Sequence, residues 1–351
     1  MITVQLNAEK ISVPYLAGES PGQFAWRTKM DFHSRALELL LELPVIKAWP
    51  DMQQILRGTA FKKPRDWKLP VIGCQAVGSR IEDAIPAVAA VACLQISIIL
   101  IDDLLDNDLR GEHHRLGVPQ TANLAASFQA AGLEAALKSE AEPAIKMAVL
   151  ECLVQMLQTT CLGQNLDVQN LVDEEDYWRL VRTKSSPFFA TALGIGSLLG
   201  GAKATTANHL NHFGRIYGGM IQIHDDLNDV MAVPANSDWL LCRSPLPILY
   251  SKVVDHPDRE RFFELLKVIP DPAALTEAQT ILIRCGAVSY CLDQILRRYQ
   301  TAHRILGTMS LYRKEGLEDL LDDVIEPVKK IFEFAGLQPS ADLLNPPDIA
   351  H

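Results

Sequence analysis

The sequence predicts an all-α fold, and three observations support this prediction. Apolar residues recur at intervals of three and four, as at Phe32, Ala36 and Leu40, whereas the alternation typical of strands is scarce. Glycine and proline residues separate the helical stretches, as at Gly200 and Gly201. The chain has 351 residues, of which 48% are hydrophobic, so it can bury a large core. We expect about ten helices joined by short loops in a single large bundle.

The order of the motifs described below favours one helical domain, although the length alone would allow two. We expect this domain to span residues 25–337, with an N-terminal extension at residues 1–24 and a C-terminal tail at residues 338–351. The first residues lack the basic-then-apolar order of a signal peptide, so export is not expected.

Charge and cysteine content exclude some classes of partner. A net charge of -10 without a basic stripe argues against nucleic acid as a ligand. An anionic substrate would therefore need a metal ion or a local basic patch. The seven cysteines form no CxxC pair and lie mostly in apolar stretches, which is typical of buried free thiols in a reducing cytoplasm.

The apolar run at residues 84–101 is long enough to suggest a transmembrane helix. Pro86, Gln95 and Ser97 interrupt it, and acidic residues flank it at both ends. A helix that is hydrophobic on all sides can also be the central helix of a soluble bundle. We therefore expect a core helix and no transmembrane segment.

Two aspartate clusters each follow a long helical stretch. They have the same spacing: Asp102, Asp103 and Asp106 form the first cluster, and Asp225, Asp226 and Asp229 form the second. On a helix, the first and last aspartates of each cluster share a face. Three carboxylates on one turn repel each other, and neither cluster contains a basic residue that relieves them. Two such clusters facing each other would form a cage of oxygen ligands, which suits magnesium and a magnesium-bound polyanion.

Other polar residues strengthen this interpretation. Lys184 lies at the start of an apolar run, where a partly desolvated ammonium group could bind phosphate. Gln222 lies one helical turn before Asp225, and Gln164 and Asp167 form another amide–acid pair on one helix face. Each feature alone is also typical of an ordinary helix surface or helix end. Their order along the chain makes them informative.

In this order, the segments resemble the trans-isoprenyl diphosphate synthase family, also called the polyprenyl synthetases. The resemblance covers about residues 60–310 and depends on segments 100–111, 163–167, 182–185 and 217–229. It implies an isoprenoid synthase fold, which is a single helical bundle with a central active-site cavity. It also implies condensation of an allylic diphosphate with isopentenyl diphosphate, with several Mg²⁺ ions bound together with the substrate diphosphate.

The resemblance also implies a role for each matching residue. The implied metal-binding residues are the cluster aspartates, with direct ligation from Asp102, Asp106 and Asp225 and support from Asp103, Asp226 and Asp229. The implied ligands of the allylic diphosphate are Arg110, Lys184 and Arg243. Gln222 is expected to orient the reacting end of the substrate. The expected catalytic residues are thus Asp102, Asp106, Lys184, Gln222 and Asp225.

Three departures from the family pattern concern the second substrate and the lid. The family has a Gly-Gly-Lys-Arg-x-Arg-Pro block before the first apolar helix. Here the block keeps basic Lys62, Lys63 and Arg65, but it lacks the paired glycines and contains Asp66. We expect the three basic residues to bind isopentenyl diphosphate in a pocket of altered geometry. A single arginine, Arg110, follows the first cluster, where the family commonly has two.

The third departure is the loop after the second cluster, which is short and lacks the usual lysines. Only Asp238 and Arg243 here resemble the charged residues of the family's loop. These losses leave rival functions open. A protein of this fold that does not add isopentenyl diphosphate would be a terpene cyclase or a prenyltransferase to another acceptor. A non-catalytic partner subunit of a heteromeric synthase is a further alternative, although six retained aspartates argue against it.

Product length and assembly follow from the same resemblance. In the family, the residues four and five positions before the first aspartate face the growing chain, and bulky aromatic residues there stop elongation early. Here these residues are Ile98 and Ser97, with Leu94 and Cys93 one turn deeper. None is aromatic, so we expect a product of C20 or longer. The resemblance also implies a homodimer.

Overall fold

The computed structural model describes residues 31–169 and 173–334. The expected extension at 1–24 and tail at 338–351 lie outside the described residues. Within the described ranges the chain forms α-helices and a short 3-10 turn at Arg65–Lys68, with no strand, so the predicted all-α class is confirmed. The helices are α1 (Phe32–Leu41), α2 (Pro44–Ala48), α3 (Pro50–Phe61), α4 (Leu69–Ala76), α5 (Ile81–Asp106), α6 (His113–Leu116), α7 (Val118–Leu137), α8 (Pro143–Asp167), α9 (Glu174–Thr183), α10 (Ser186–Leu199), α11 (Ala204–Met231), α12 (Ser237–Leu240), α13 (Leu246–Val253), α14 (Arg259–Leu266), α15 (Pro272–Arg284), α16 (Ala287–Thr308) and α17 (Glu315–Phe334).

The helices in the described ranges are more numerous than the ten or so expected, because several are only one or two turns long. Proline begins many of them, as at Pro44 and Pro50, since it cannot continue a preceding helix but fits the first turn of the next. The glycine pair Gly200 and Gly201 ends α10, as the sequence predicts.

Helix α5 is the central element. It packs against α1, α4, α7 and α10, and its side chains belong to two apolar clusters, one with α1, α3 and α7 and the other with α8, α10 and α11. At its start, Asp83 accepts hydrogen bonds from the Arg80 backbone N–H (3.1 Å) and from Ser79 Oγ (2.7 Å). The bond from Arg80 satisfies a backbone donor that the helix leaves unpaired at its N-terminus. At its end, Asn107 adopts a left-handed conformation that stops the helix.

Among the helices of the described residues, two are long and apolar enough to cross a membrane, and they differ in burial. In α5, 78% of the most apolar stretch of 18 residues is buried, which confirms that residues 84–101 form part of a core helix. In α8, only 22% of the most apolar stretch of 18 residues is buried. Its exposed apolar residues include Met147, Val154 and Leu162, which lie on one side of the helix.

Small residues bring the site-bearing helices close together. A side chain at Gly163 of α8 would lie 2.4 Å from the Lys184 backbone nitrogen, and one at Gly218 of α11 would lie 2.9 Å from the Ser186 Cα atom. Since real Cβ contacts are longer than this, only glycine permits the observed packing. The ends of α5, α8 and α11 and the α9–α10 junction therefore meet in one region.

Candidate active site

Both aspartate clusters lie at the C-terminal ends of long helices. Asp102, Asp103 and Asp106 occupy the last turns of α5, which ends at Asp106, and the second cluster occupies the last turns of α11. The C-terminal end of a helix carries partial negative charge, so carboxylates there are disfavoured and cations are favoured. Helix position thus adds to the repulsion within each cluster.

The first cluster is paired with two cations that are distant in sequence. Lys184 Nζ lies 2.9 Å from Asp102 Oδ1, in an ion pair whose alignment falls short of a hydrogen bond, and Lys184 also donates to Asp167. Arg243 donates to Asp106, and its Nη1 lies 2.9 Å from Asp167 Oδ2. Asp167, at the end of α8, is therefore shared by both cations.

This network lies largely out of solvent, and its charges interact strongly. Burial would lower the pKa of the Lys184 ammonium group, but Asp102 and Asp167 outweigh that effect and the pKa is raised. Burial raises the pKa of Asp106, and Asp102 adds to this, while Arg243 and Lys184 oppose it. Burial raises the pKa of Asp103 to about 6, and the neighbouring aspartates add to this. The cations therefore relieve the first cluster only in part.

In the second cluster, Asp226 is held by neutral donors. It is 4% exposed, and its carboxylate accepts hydrogen bonds from Tyr177 Oη (2.7 Å), Gln222 Nε2 (2.7 Å) and the Leu246 backbone N–H (2.9 Å). Ser185 Oγ in turn donates to the Gln222 side-chain carbonyl. Asp226 thus connects α9, α11 and the start of α13. This packing favours the supporting role expected of Asp226 over direct ligation.

Asp225 and Asp229 differ from Asp226 because their side chains reach solvent although much protein surrounds them. Burial, together with Asp226, Asp229 and Asp66, raises the pKa of Asp225 to about 7. Burial also raises the pKa of Asp229, which feels the charges of Arg110 and of Asp102 in the first cluster. The two clusters therefore lie close enough for their charges to interact.

A further carboxylate, Asp238, belongs to the same site. Burial and the charges of Asp226 and Asp229 raise its pKa to about 7, while Arg243 opposes the shift. Asp238 is the second residue of the short helix α12, which follows the second cluster after a short loop. The site thus contains more carboxylates than cations, and the excess lies on the α11 side.

The donor set suits a hard divalent cation bound together with an anion. Across the described ranges, no group of three or more His, Cys, Asp or Glu side chains is arranged to hold a metal ion by itself. Magnesium that binds with a diphosphate needs few protein ligands, because phosphate oxygens and waters complete its shell. Excess negative charge at solvent-accessible carboxylates fits such binding, since only an added cation would relieve it.

The basic residues before α4 do not converge on an open anion-binding site. Lys62 and Arg65 are exposed, and Lys63 Nζ lies 3.4 Å from Asp31 Oδ2. Asp66 points to α5, where its Oδ2 accepts from Gln95 Nε2 at 2.8 Å. The expected roles of Lys62, Lys63 and Arg65 stay predictions.

Arg110 lies at the edge of the site. Its side chain is 90% exposed and binds Asp108 at 2.7 Å, and hydrogen bonds from Arg110 lower the pKa of Asp108 to about 2. The charges of Asp103 and Asp229 also act on Arg110. It is therefore near both clusters, and its expected contact with diphosphate stays a prediction.

The residues expected to set product length are buried in α5. Leu94 and Ser97 are fully buried and Ile98 is half-buried. Ser97 Oγ has no hydrogen-bond partner. Leu94 belongs to the apolar cluster with α8, α10 and α11, whereas Cys93 belongs to the cluster with α1 and α3. Only Leu94 of this deeper pair therefore lies on the side of α10 and α11.

Sequence reasoning gave no role to several residues that the structure places in the site. Tyr177, Ser185 and Asp238 contact or lie near the second cluster, and the partners of Tyr177 and Ser185 are far away in sequence. The sequence pairs Asp167 with Gln164 on one helix face and includes it in segment 163–167, but does not predict that two cations share it. Gln164 itself is buried, and neither atom of its amide has a hydrogen-bond partner.

Comparisons with known proteins agree on one family. A family model described as polyprenyl synthetase matches residues 67–242. Geranylgeranyl diphosphate synthase of Methanosarcina mazei is 29% identical over 171 residues, which cover 46% of this chain and 53% of that protein, so about half of its length is matched. A short chain isoprenyl diphosphate synthase of Methanothermobacter thermautotrophicus is 27% identical over 277 residues, which cover 74% and 84%. Geranylfarnesyl diphosphate synthase of Natronomonas pharaonis is 29% identical over 263 residues, which cover 70% and 75%.

Solved structures agree with this fold. Geranylgeranyl pyrophosphate synthetase from Pyrococcus horikoshii superposes with a TM-score of 0.71 at 22% identity, covering 86% of this chain and 94% of that one. A polyprenyl synthase from Caulobacter crescentus, complexed with calcium and isoprenyl diphosphate, also gives a TM-score of 0.71, at 17% identity and with 98% and 100% covered. These neighbours have the all-α isoprenoid synthase fold.

Proposed function

This chain belongs to the polyprenyl synthetase family, and we propose that it is a magnesium-dependent prenyl diphosphate synthase. It condenses an allylic prenyl diphosphate with isopentenyl diphosphate to give an all-E prenyl diphosphate. The observation that carries this proposal is the pair of aspartate clusters with interacting charges, beside Lys184 and Arg243. The relatives are themselves isoprenyl diphosphate synthases, so a terpene cyclase or a non-catalytic subunit is not favoured.

Asp102, Asp106 and Asp225 are the residues that would hold magnesium. When bound there, magnesium supplies Lewis-acid neutralisation of the diphosphate leaving group. Lys184 and Arg243 pair with Asp102, Asp106 and Asp167, and they would donate to the diphosphate oxygens of a substrate bound with magnesium. The ion-pair network thus holds the two cations in place before the substrate arrives.

Gln222 and Asp226 act as a fixed support for this chemistry. Gln222 accepts from Ser185 and donates to Asp226, so its amide orientation is set by two bonds. Asp226 is anchored by Tyr177 and Leu246. Because these groups are already ordered, they do not have to reorganise when charge develops at the reacting carbon.

The proton lost from the second substrate needs no histidine base. His224, next to Asp225, is half-buried, and its Nε2 lies 2.8 Å from the Val324 carbonyl oxygen. Burial lowers the pKa of His224, and its ring is engaged with α17 and not with the clusters. The departing diphosphate is the proposed proton acceptor, and the apolar side chains of α5, α10 and α11 keep water from the carbocation.

We propose a product of C20 or longer. Ile98, Ser97 and Leu94 lack aromatic bulk, and the relatives named for geranylgeranyl and geranylfarnesyl diphosphate support this length. A Ser97→Phe variant is expected to shorten the product, because a large ring would replace a small fully buried side chain on α5. Chromatography of the dephosphorylated products measures this. An unchanged chain length in a folded variant would contradict the role of this helix, and the pocket would then be closed by another element.

Assembly as a homodimer is part of the proposal. Helix α8 exposes Met147, Val154 and Leu162 on one side, and a second copy that covers this side would bury them. We also propose a cytoplasmic location, since the free cysteines fit a reducing compartment.

One assay tests the function directly. The protein is incubated with magnesium and geranyl or farnesyl diphosphate, with and without isopentenyl diphosphate. Elongated diphosphates that form only when isopentenyl diphosphate is present are the expected result. Hydrocarbon or alcohol formed without it would identify a cyclase, and no turnover with any primer would identify a partner subunit. Either result would overturn the proposed synthase.

A further inference from the structure

Asp66 belongs to the basic block, and its side chain is hydrogen-bonded to α5. Its Oδ2 accepts from Gln95 Nε2 at 2.8 Å, and the Gln95 carbonyl accepts from Trp67 Nε1 at 2.8 Å. The Trp67 side chain is fully buried. The carboxylate of Asp66 is therefore fixed by a chain of hydrogen bonds that begins in the core.

This position borders the metal-binding side of the site. Gln95 precedes Asp102 by two helical turns on α5, so the two side chains share a face about 10 Å apart along the axis. The charge of Asp66 also contributes to the raised pKa of Asp225 in the second cluster. Asp66 is thus beside the region where the two substrates must meet.

Two of the cations in and after the basic block, Lys63 and Lys68, are already paired with protein carboxylates. Burial raises the pKa of the Asp66 carboxyl group, while the hydrogen bond from Gln95 and the charges of Lys68 and Arg65 oppose that rise. Lys68 Nζ lies 3.2 Å from Asp323 Oδ2 of α17, and Lys63 pairs with Asp31. An amide donor and nearby cations are the groups that would bind a diphosphate. Here a carboxylate of the chain itself occupies the position in which they would hold that diphosphate.

Geometry requires the second diphosphate to bind close to the first. The double bond of isopentenyl diphosphate must approach the allylic carbon to about 3–3.5 Å. Only a short carbon chain separates that double bond from its own diphosphate. Its diphosphate must therefore bind within reach of the clusters, and Gln95, Arg65 and Lys68 are the donors next to Asp66 that could bind it.

On the basis of the proposed function, we propose that Asp66 determines how tightly the second substrate binds. Its carboxylate uses the Gln95 donor and offsets the charges of Arg65 and Lys68, so it competes with the diphosphate of isopentenyl diphosphate. The incoming diphosphate must displace Asp66 or bind beside a like charge. The allylic diphosphate, held by metal and Lys184, is not subject to this competition.

The decisive variant is Asp66→Asn, which keeps the shape of the side chain and removes its charge. The KM for isopentenyl diphosphate is expected to fall about tenfold, because one unit charge a few ångströms from a diphosphate is removed in partly solvated surroundings. The KM for the allylic diphosphate should change less than twofold. Steady-state kinetics with each substrate varied in turn measures both values.

A matched control is Asp51→Asn. Asp51 is a half-buried aspartate at the start of α3 that likewise accepts from a glutamine amide, Gln120 Nε2 at 3.0 Å, and pairs with Arg115. Neither KM should change in this variant. A second variant, Asp323→Asn, releases Lys68 without altering the Asp66–Gln95 bond. It is expected to lower the KM for isopentenyl diphosphate in the same direction by a smaller factor.

If Asp66 served only to hold Gln95 and Trp67 in place, the variant would give a different result. In that case Asp66→Asn would lower the melting temperature and leave the KM for isopentenyl diphosphate unchanged or raised, which would overturn the inference. Calorimetric titration of isopentenyl diphosphate into the wild type and Asp66→Asn gives a second readout without turnover, and equal affinities would also overturn it. Absence of turnover in the wild type with every primer would instead defeat the proposed function.

Discussion

The two aspartate clusters have the same sequence spacing but different surroundings. In the first, Asp102 and Asp106 pair with Lys184 and Arg243. In the second, Asp226 is held by neutral donors, and Asp225 has a pKa of about 7 through burial and neighbouring carboxylates. The first cluster is therefore partly neutralised by protein cations, whereas the second retains its repulsion.

Two clusters with the same sequence spacing can therefore have different roles. Under the proposed function, the cations paired with the first cluster would be available to bind a diphosphate. In the second cluster, the buried aspartate supports the fold, while its neighbours Asp225 and Asp229 reach solvent. Four predictions test whether this division is correct.

The largest expected effect is on catalysis. Asp102→Ala and Asp225→Ala should each lower turnover by about three orders of magnitude or more, because each removes a proposed magnesium ligand, and metal charge stabilisation is worth several kcal/mol. Circular dichroism should show an intact fold, since neither side chain is part of the apolar core. Asp255→Ala, at an exposed loop aspartate, is the control and should be unaffected. Full activity in either cluster variant would refute the metal site.

The position of both clusters was predictable because it depends on local periodicity. Asp102 and Asp106 share a face of α5, and the end of that helix follows from the sequence. The partners were not predictable in the same way. Asp106 and Arg243 are brought together by the folding of the intervening helices, and so are Tyr177 and Asp226. Likewise, the bond between Asp66 and Gln95 depends on how the 3-10 turn packs on α5.

A second prediction concerns the cation of the first cluster. Lys184→Gln should lower kcat/KM for the allylic diphosphate about tenfold to hundredfold, since a charge-assisted hydrogen bond is worth about 1.5–3 kcal/mol. The variant should also leave Asp102 and Asp167 without their shared cation. Initial rates at saturating isopentenyl diphosphate measure the loss. Lys138→Gln, which breaks only an exposed pair with Glu134, provides the matched control. Equal kcat/KM values for the two variants would exclude Lys184 from diphosphate binding.

A third prediction separates two adjacent aspartates by their effect on stability. Asp226→Asn should lower the free energy of unfolding by about 1–3 kcal/mol, because an amide cannot accept from Tyr177, Gln222 and the Leu246 backbone at once. Asp225→Asn should leave stability unchanged or slightly higher, since it removes a repelled carboxylate. Chemical denaturation at pH 7.5 without metal compares the two. Similar losses of stability in both variants would mean that Asp226 has no greater structural role than Asp225.

The smallest expected effect is a pH dependence of stability in the ligand-free protein. The pKa values of Asp225 and Asp238 are about 7 in the folded protein, against about 3.9 for an unfolded aspartate. Between these values the folded state binds more protons than the unfolded state. This contribution to stability is therefore fully present below about pH 4 and is lost as the pH rises to about 7. Because Asp225 reaches solvent, screening limits its share to about 1 kcal/mol.

Thermal unfolding in the presence of a chelator, at pH 5.5 and 7.5, measures this loss. Groups elsewhere in the chain also titrate, so the informative quantity is the difference in slope between the wild type and Asp225→Asn. The variant has one fewer raised carboxylate and should lose less stability over this range. Magnesium with inorganic pyrophosphate should stabilise the wild type more at pH 7.5 than at pH 5.5, because metal binding requires the deprotonated carboxylates. Equal slopes in both proteins would mean that Asp225 is not the repelled carboxylate that distinguishes the second cluster from the first.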